Sequence, residues 1–184
     1  VAFLKKHGSV VVLSAGDAKV AVSPDYQARV MTSTTGGDAG PSFGWLNDKV
    51  IEKGVLSPEA ARGHLEEHIY VFGGEERFWL GPEGGQFGLY FAPGAAFEFP
   101  QWHTPPAIDT EPFAQVTATP TAASFRRDMV LTNASATVFE IRAERAVRLL
   151  SAPQASEAFG VALPPAVKAV AYETDNRITN RGRE

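Results

Sequence analysis

The chain has 184 residues, 44% of them hydrophobic and 21% charged, with a formal net charge of −4. That length suits one domain with a core of its own, and the acidic balance offers nucleic acid no basic footprint. There is no cysteine, which excludes disulfides, thiolate metal sites and a cysteine nucleophile. No stretch approaches the roughly 20 apolar residues that cross a bilayer. The apolar start at Val1 is too short for a signal peptide and has its charges in the wrong order. Nothing in the sequence assigns a compartment.

Glycine (17) and proline (13) are spread along the chain, as expected for many short strands joined by turns. Residues 10–13 and 18–22 flank Ser14-Ala15-Gly16-Asp17 and form a hairpin pattern. Residues 29–34 make a third strand, followed by the glycine-rich loop 35–41. A short helix over 44–53 stops at Gly54, and Ser57-Pro58-Glu59 supplies a cap, a first-turn proline and an early acid for a second. Strand-like runs return at 69–72, 76–80 and 87–91, separated by glycines.

The clearest strand is 139–149, where Phe139, Ile141, Ala143, Val147 and Leu149 alternate with polar residues. Arg145 is the one charge on its apolar face, either a satisfied structural ion or a group pointing into a site. A helix over 143–150 is the competing reading. Residues 124–131 pair with this strand across the Thr132-Asn133-Ala134-Ser135 turn. Ile178-Thr179-Asn180-Arg181-Gly182 resembles a second such turn close to the last residue. A strand ending there leaves an unpaired edge. The expectation is a single antiparallel β-sandwich domain over 1–184, incomplete at its C-terminal side, with two or three short helices. It is either the first part of a larger sandwich or a homo-oligomer that completes the sheet.

Unusual chemistry concentrates at residues 73–87, Gly-Gly-Glu-Glu-Arg-Phe-Trp-Leu-Gly-Pro-Glu-Gly-Gly-Gln-Phe. Glycines let a backbone approach a ligand closely. Glu75, Glu76 and Glu83 are candidate general acids or bases, Arg77 can hold a hydroxyl or carboxylate, and Trp79 can stack on a sugar face. The competing reading is a plain hairpin with Glu–Arg pairs. A second cluster, 99–109, holds Trp102 and His103 in a proline-stiffened loop, suited to sugar recognition and proton transfer. His64-Leu65-Glu66-Glu67-His68 matches the inverted zinc-protease pattern H-x-x-E-H, but Gly63 and the strand-like 69–72 put His68 beyond any helix, so no metal site is expected. There is no G-x-S-x-G elbow, no phosphate loop and no G-x-G-x-x-G after a strand.

The run from His68 to Phe87, with Gln101-Trp102-His103-Thr104-Pro105, Ile108-Asp109-Thr110-Glu111-Pro112-Phe113 and Leu131-Thr132-Asn133, resembles an uncharacterised bacterial family allied to the galactose mutarotase-like superfamily. The resemblance covers most of the chain and implies a β-supersandwich with a sugar in an open cleft. It implies aldose 1-epimerase chemistry, with a histidine acid and a glutamate base. His68 and His103 are then the candidate acids and Glu75, Glu76 and Glu83 the candidate bases. Arg77, Trp79, Gln86, Trp102 and Asp109 are the substrate-binding candidates, and no cofactor is required. The family's chains are longer and the epimerases' glutamate lies late in the chain, a departure that puts mutarotase activity in question. The expected partner is a small sugar or glycan. A non-catalytic carbohydrate-binding module and a hydrolase, metal-assisted or not, are the alternatives.

Overall fold

The computed structural model describes residues 1–164 and 166–183. Helix α1 (Ala2–His7) leads into a three-stranded antiparallel sheet, β1 (Val11–Ala15), β2 (Ala18–Ser23) and β3 (Arg29–Thr34). Two short helices follow, α2 (Asp48–Lys53) and α3 (Pro58–Ala61). After a long span without regular strands come β4 (Ala114–Ala118), β5 (Ala122–Thr132), β6 (Val138–Leu149), helix α4 (Ala152–Phe159) and β7 (Tyr172–Asn180). These four strands form a second antiparallel sheet in the order β4-β5-β6-β7.

The two sheets pack face to face, making a mainly β sandwich. Leu13, Val20, Val22 and Val30 of the small sheet share one core with Ala123, Phe125, Met129, Leu131, Ala143, Val147 and Leu149 of the large one. Strand alternation does this directly, since every second residue points to the same face. The small sheet is covered on its other face too. Ala21 and Met31 pack there with Leu4, Ile51, Tyr70 and Phe72. A bulge between Ala21 and Val22 sets the register of β2 against β3.

Several expectations hold. The 10–13/18–22 hairpin and the 29–34 strand are β1–β3, and β5 pairs with β6 in a continuous register from Ala122↔Arg148 to Thr132↔Val138. Residues 143–149 lie in β6, so the helical reading of that stretch is excluded. The caps also act as expected: Asn47 accepts from the Val50 N–H and Ser57 from the Ala60 N–H, while α2 stops at Gly54 with φ +70°.

Others need correction. The helix expected from residue 44 begins only at Asp48. Among the described residues there are four α-helices rather than two or three: α1, and α4 behind a Ser151/Gln154 capping box, were not expected. The strands expected at 69–72, 76–80 and 87–91 do not form: residues 87–90 are mostly turn and bend, and the segments meet their neighbours through single backbone hydrogen bonds, such as the Asn47 N–H to the Phe72 carbonyl, and isolated bridges such as Val30↔Glu76 and Phe91↔Trp102. Gly73 and Gly74 sit at φ +86° and +109°, which a strand ladder cannot continue through. The turn expected at 178–182 is instead mostly strand, because Ile178, Thr179 and Asn180 finish β7 against Ala143, Arg142 and Ile141. Among the described residues no helix is long and apolar enough to cross a membrane.

Candidate functional site

The irregular span between α3 and β4 is anchored by what it buries: Tyr70, Phe72, Phe78, Tyr90, Ile108 and Phe113 are all at most 6% exposed. Its remaining side chains are thereby held in fixed positions on the outside of the sandwich. Asp109 is the polar anchor. It accepts from the Tyr70 N–H at 2.8 Å and pairs with Arg77 at 3.1 Å. Arg77 also donates to the Ile108 carbonyl at 2.7 Å and lies over the Trp79 ring, 4.1 Å from its centroid. Burial pushes the Asp109 carboxyl up and the Arg77 guanidinium down, so on both partners desolvation outweighs their mutual attraction. Arg29 nearby is driven down to about 9 by burial, with Arg77 as a further like charge.

From Trp79 an aromatic tier runs outward. Trp79 and Tyr90 are 5.3 Å apart, Tyr90 and Trp102 stack at 5.1 Å and 7°, and Phe99 lies 6.3 Å beyond Trp102. His68 sits 4.5 Å from Phe99 and stacks on His103 at 4.9 Å. Tyr90 is buried, and its hydroxyl donates to the Leu80 carbonyl at 2.7 Å. Burial raises its pKa. Glu83 closes the tier from above: its carboxylate accepts from the Trp79 indole at 2.7 Å, and its carbonyl accepts from the Trp102 indole at 3.2 Å. The second carboxylate oxygen of Glu83 has no partner among the described residues and faces solvent.

The two histidines have assigned tautomers. His68 Nδ1 lies 2.7 Å from the Trp102 carbonyl and His103 Nδ1 lies 2.9 Å from the Glu67 carbonyl. A carbonyl only accepts, so each Nδ1 carries the proton and each Nε2 of the neutral ring keeps a lone pair. His103 also borders a groove of about 380 Å³ shared with Leu56, Pro58, Glu67 and Tyr70. A larger cavity, about 500 Å³, lies at the Arg127, Met129 and Ile141 end of the large sheet and contains none of the candidate groups.

The structure therefore brings together His68, Arg77, Trp79, Glu83, Trp102, His103 and Asp109. It leaves out three residues. Glu75 accepts from the Ser33 N–H and hydroxyl, at 2.7 and 2.9 Å, and from the Tyr172 hydroxyl at 3.1 Å. Glu76 pairs with Arg145. Gln86 is exposed, and its carbonyl accepts from Ser135 at 2.8 Å. Arg145 is thus a structural ion: its side chain is fully buried and also donates to the Ala28 carbonyl and to Asn176. Tyr90 and Phe99, which complete the tier, were missed. Tyr90 lay in a supposed strand where its neighbours Phe87, Leu89 and Phe91 drew the apolar reading.

His64 and His68 flank a 3-10 turn, Leu65–Glu67, not a helix, so the i,i+4 zinc geometry is absent. Among the described residues no group of three or more histidines and carboxylates is arranged to hold a metal ion. Searches among curated proteins and among solved structures find no match. Residues 1–184 match the model of a protein family, and the chain belongs to it: DUF6786, a family of unknown function.

Proposed function

We propose that this protein is carbohydrate-active and holds a sugar ring on the surface formed by Trp79, Glu83 and Trp102. The observation that carries the reading is the Glu83 carboxylate, fixed by the Trp79 indole at 2.7 Å yet left with a free oxygen beside stacked aromatic faces. Arg77 covers one face of Trp79 and Tyr90 one face of Trp102, so the apolar face of a pyranose would meet the remaining aromatic surface of the tier, which ends in the exposed Phe99, while the carboxylate accepts its hydroxyls. The reading takes the two sheets as part of a mutarotase-like sandwich.

The chemistry that follows is aldose epimerisation. Glu83 takes the proton of the anomeric hydroxyl while a protonated histidine, His103 or His68, gives its Nε2 proton to the ring oxygen. The bond from C1 to the ring oxygen breaks, C1 becomes the aldehyde carbonyl, and reclosure on its other face yields the other anomer. Polarimetry on freshly dissolved aldoses tests this. Wild type should accelerate mutarotation over buffer and Glu83→Gln should not. Equal rates for wild type and buffer remove the enzymatic version.

One observation favours a second reading, a binding module without turnover: neither His68 nor His103 is hydrogen-bonded to a carboxylate that would hold it protonated, and their Nδ1 atoms bond only backbone carbonyls. On that reading calorimetry detects glycan binding with no change in optical rotation rate. Trp102→Ala then weakens binding about tenfold, by removing a stacking face.

A further inference from the structure

We infer that the sugar held on this surface is an amino sugar, an aldose with a free ammonium group, and that its charge pairs with Glu83. The inference rests on the sugar-binding reading above and adds to it the charge of the ligand. The tier around Trp79 and Trp102 contains three ionised side chains, Asp109, Arg77 and Glu83. Arg77 is claimed by Asp109 at 3.1 Å, with its guanidinium over the Trp79 ring. One negative charge is left over, and it is the exposed one. Among the described residues no lysine, arginine or histidine forms an ion pair with Glu83.

The hydrogen bonds point the same way. An aromatic sugar site can donate from its indole N–H groups, but here Glu83 itself takes both. The Trp79 N–H bonds its carboxylate at 2.7 Å and the Trp102 N–H bonds its carbonyl at 3.2 Å. The Tyr90 hydroxyl is spent on the Leu80 carbonyl, and the Nδ1 protons of His68 and His103 on the Trp102 and Glu67 carbonyls. Arg77 keeps only its Nη1 group, since Nη2 is bonded and Nε is buried. What stays free is mostly acceptor: one Glu83 oxygen and the Nε2 lone pair of each neutral histidine.

Excess negative charge and free acceptors select the ligand. A neutral hydroxyl fills the acceptors but leaves the charge unmatched. A sugar acid or sugar phosphate brings a second negative charge beside the first. A divalent metal ion needs several oxygen ligands, and among the described residues no group of three or more histidines and carboxylates is arranged to hold one. An ammonium supplies three N–H donors together with the missing charge, and aromatic surface beside it attracts cations as well. In a 2-amino aldose the ammonium is on the carbon next to C1, so one Glu83 oxygen can reach both it and the anomeric hydroxyl. Charge selection then falls on the same carboxylate that serves as base in the epimerisation.

The test is calorimetric titration of the 184-residue chain with glucosamine, glucose, N-acetylglucosamine and cyclohexylammonium, at a pH where the amines are charged. Glucosamine should bind about tenfold more tightly than glucose or N-acetylglucosamine, through an exposed ion pair and a cation–π contact acting together. Sodium chloride should weaken glucosamine binding and leave glucose binding unchanged, as screening requires. Glu83→Gln keeps the shape of the rim and should bring glucosamine down to the level of glucose. Cyclohexylammonium has the charge and an apolar ring but no hydroxyls, and should bind more weakly than glucosamine. Glucose or N-acetylglucosamine binding as tightly as glucosamine overturns this inference and leaves the sugar-binding reading standing. A preference for glucosamine that survives Glu83→Gln also overturns it, because the charge is then met elsewhere. Cyclohexylammonium binding as tightly as glucosamine shows that the hydroxyls contribute nothing, which removes the sugar-binding reading and the amino sugar with it. No binding by any of these ligands overturns both.

Discussion

Two glutamates seven residues apart in one glycine-rich segment meet opposite fates. Glu76 is drawn into the sandwich, where Arg145 engages both its oxygens and Thr174 lies at hydrogen-bond distance. Glu83 stays on the rim, held by one indole and otherwise open to solvent. The charge is the same; the difference is what lies across from each. Arg145 is fully buried and cannot reach water, so its ionised form depends on Glu76, Asn176 and the Ala28 carbonyl. Burial lowers its pKa to about 10 despite these partners. A carboxylate whose every oxygen is claimed holds the fold together, whereas one with a spare lone pair is available to a ligand.

The sharpest way to break this comparison is to remove each carboxylate in turn. Glu76→Ala strands a buried guanidinium and should cost about 3 kcal/mol in urea denaturation, toward the low end for a broken buried pair because Glu76 is 32% exposed. Glu83→Ala should cost no more than about 0.5 kcal/mol, as an exposed substitution. Equal costs would mean that the two groups do not differ as described. Gly73→Ala comes next, at about 1–3 kcal/mol. Its φ is +86°, and a Cβ there would run into the Trp45 carbonyl. A variant as stable as wild type would show that the segment can shift away from its place beside Leu46.

A subtler effect sharpens the comparison at the site's own anchor. Burial raises the Asp109 carboxyl above its ordinary 3.8, even with Arg77 and the Tyr70 N–H beside it. Its folded pKa exceeds the unfolded one, so the stability it contributes is complete below 3.8 and is lost as pH rises through the folded value. The difference between wild-type and Asp109→Asn stability should slope downward across that window and be flat above it. A difference that instead rises with pH would mean that the Arg77 pair, rather than desolvation, governs Asp109.

Much of the scaffold was legible because its residues obey a period. In β6, Ala143, Val147 and Leu149 are buried as alternation requires, and Asn47, Gly54 and Ser57 mark helix ends through hydrogen bonds that the residue types specify. The span between α3 and β4 was harder. Its aromatic residues suggested strands, but the left-handed backbone at Gly73 and Gly74 breaks any ladder, and burial there follows tertiary fit rather than spacing. β7 was misread because Asn180-Arg181-Gly182 has turn chemistry, while its polar alternation is that of a strand whose outer face meets solvent. For the site, residue type named Trp79, Glu83, Trp102 and His103. It could not separate Glu83 from Glu75 and Glu76, because that distinction depends on Ser33, Tyr172 and Arg145, which lie far away in sequence.

The indole of Trp79 has a cation at 4.1 Å over its ring and a carboxylate on its N–H. Its emission is therefore governed by two opposite local fields, one fixed by Arg77 and the other set by Glu83. Any solute that draws the Glu83 oxygens away alters that balance and shifts the colour of the light emitted. Trp102, whose indole donates to the Glu83 carbonyl, reports on the same rim, while Trp45, at 61% exposure, lies outside the tier. The molecule thus carries a built-in optical gauge of its own rim, readable without a label.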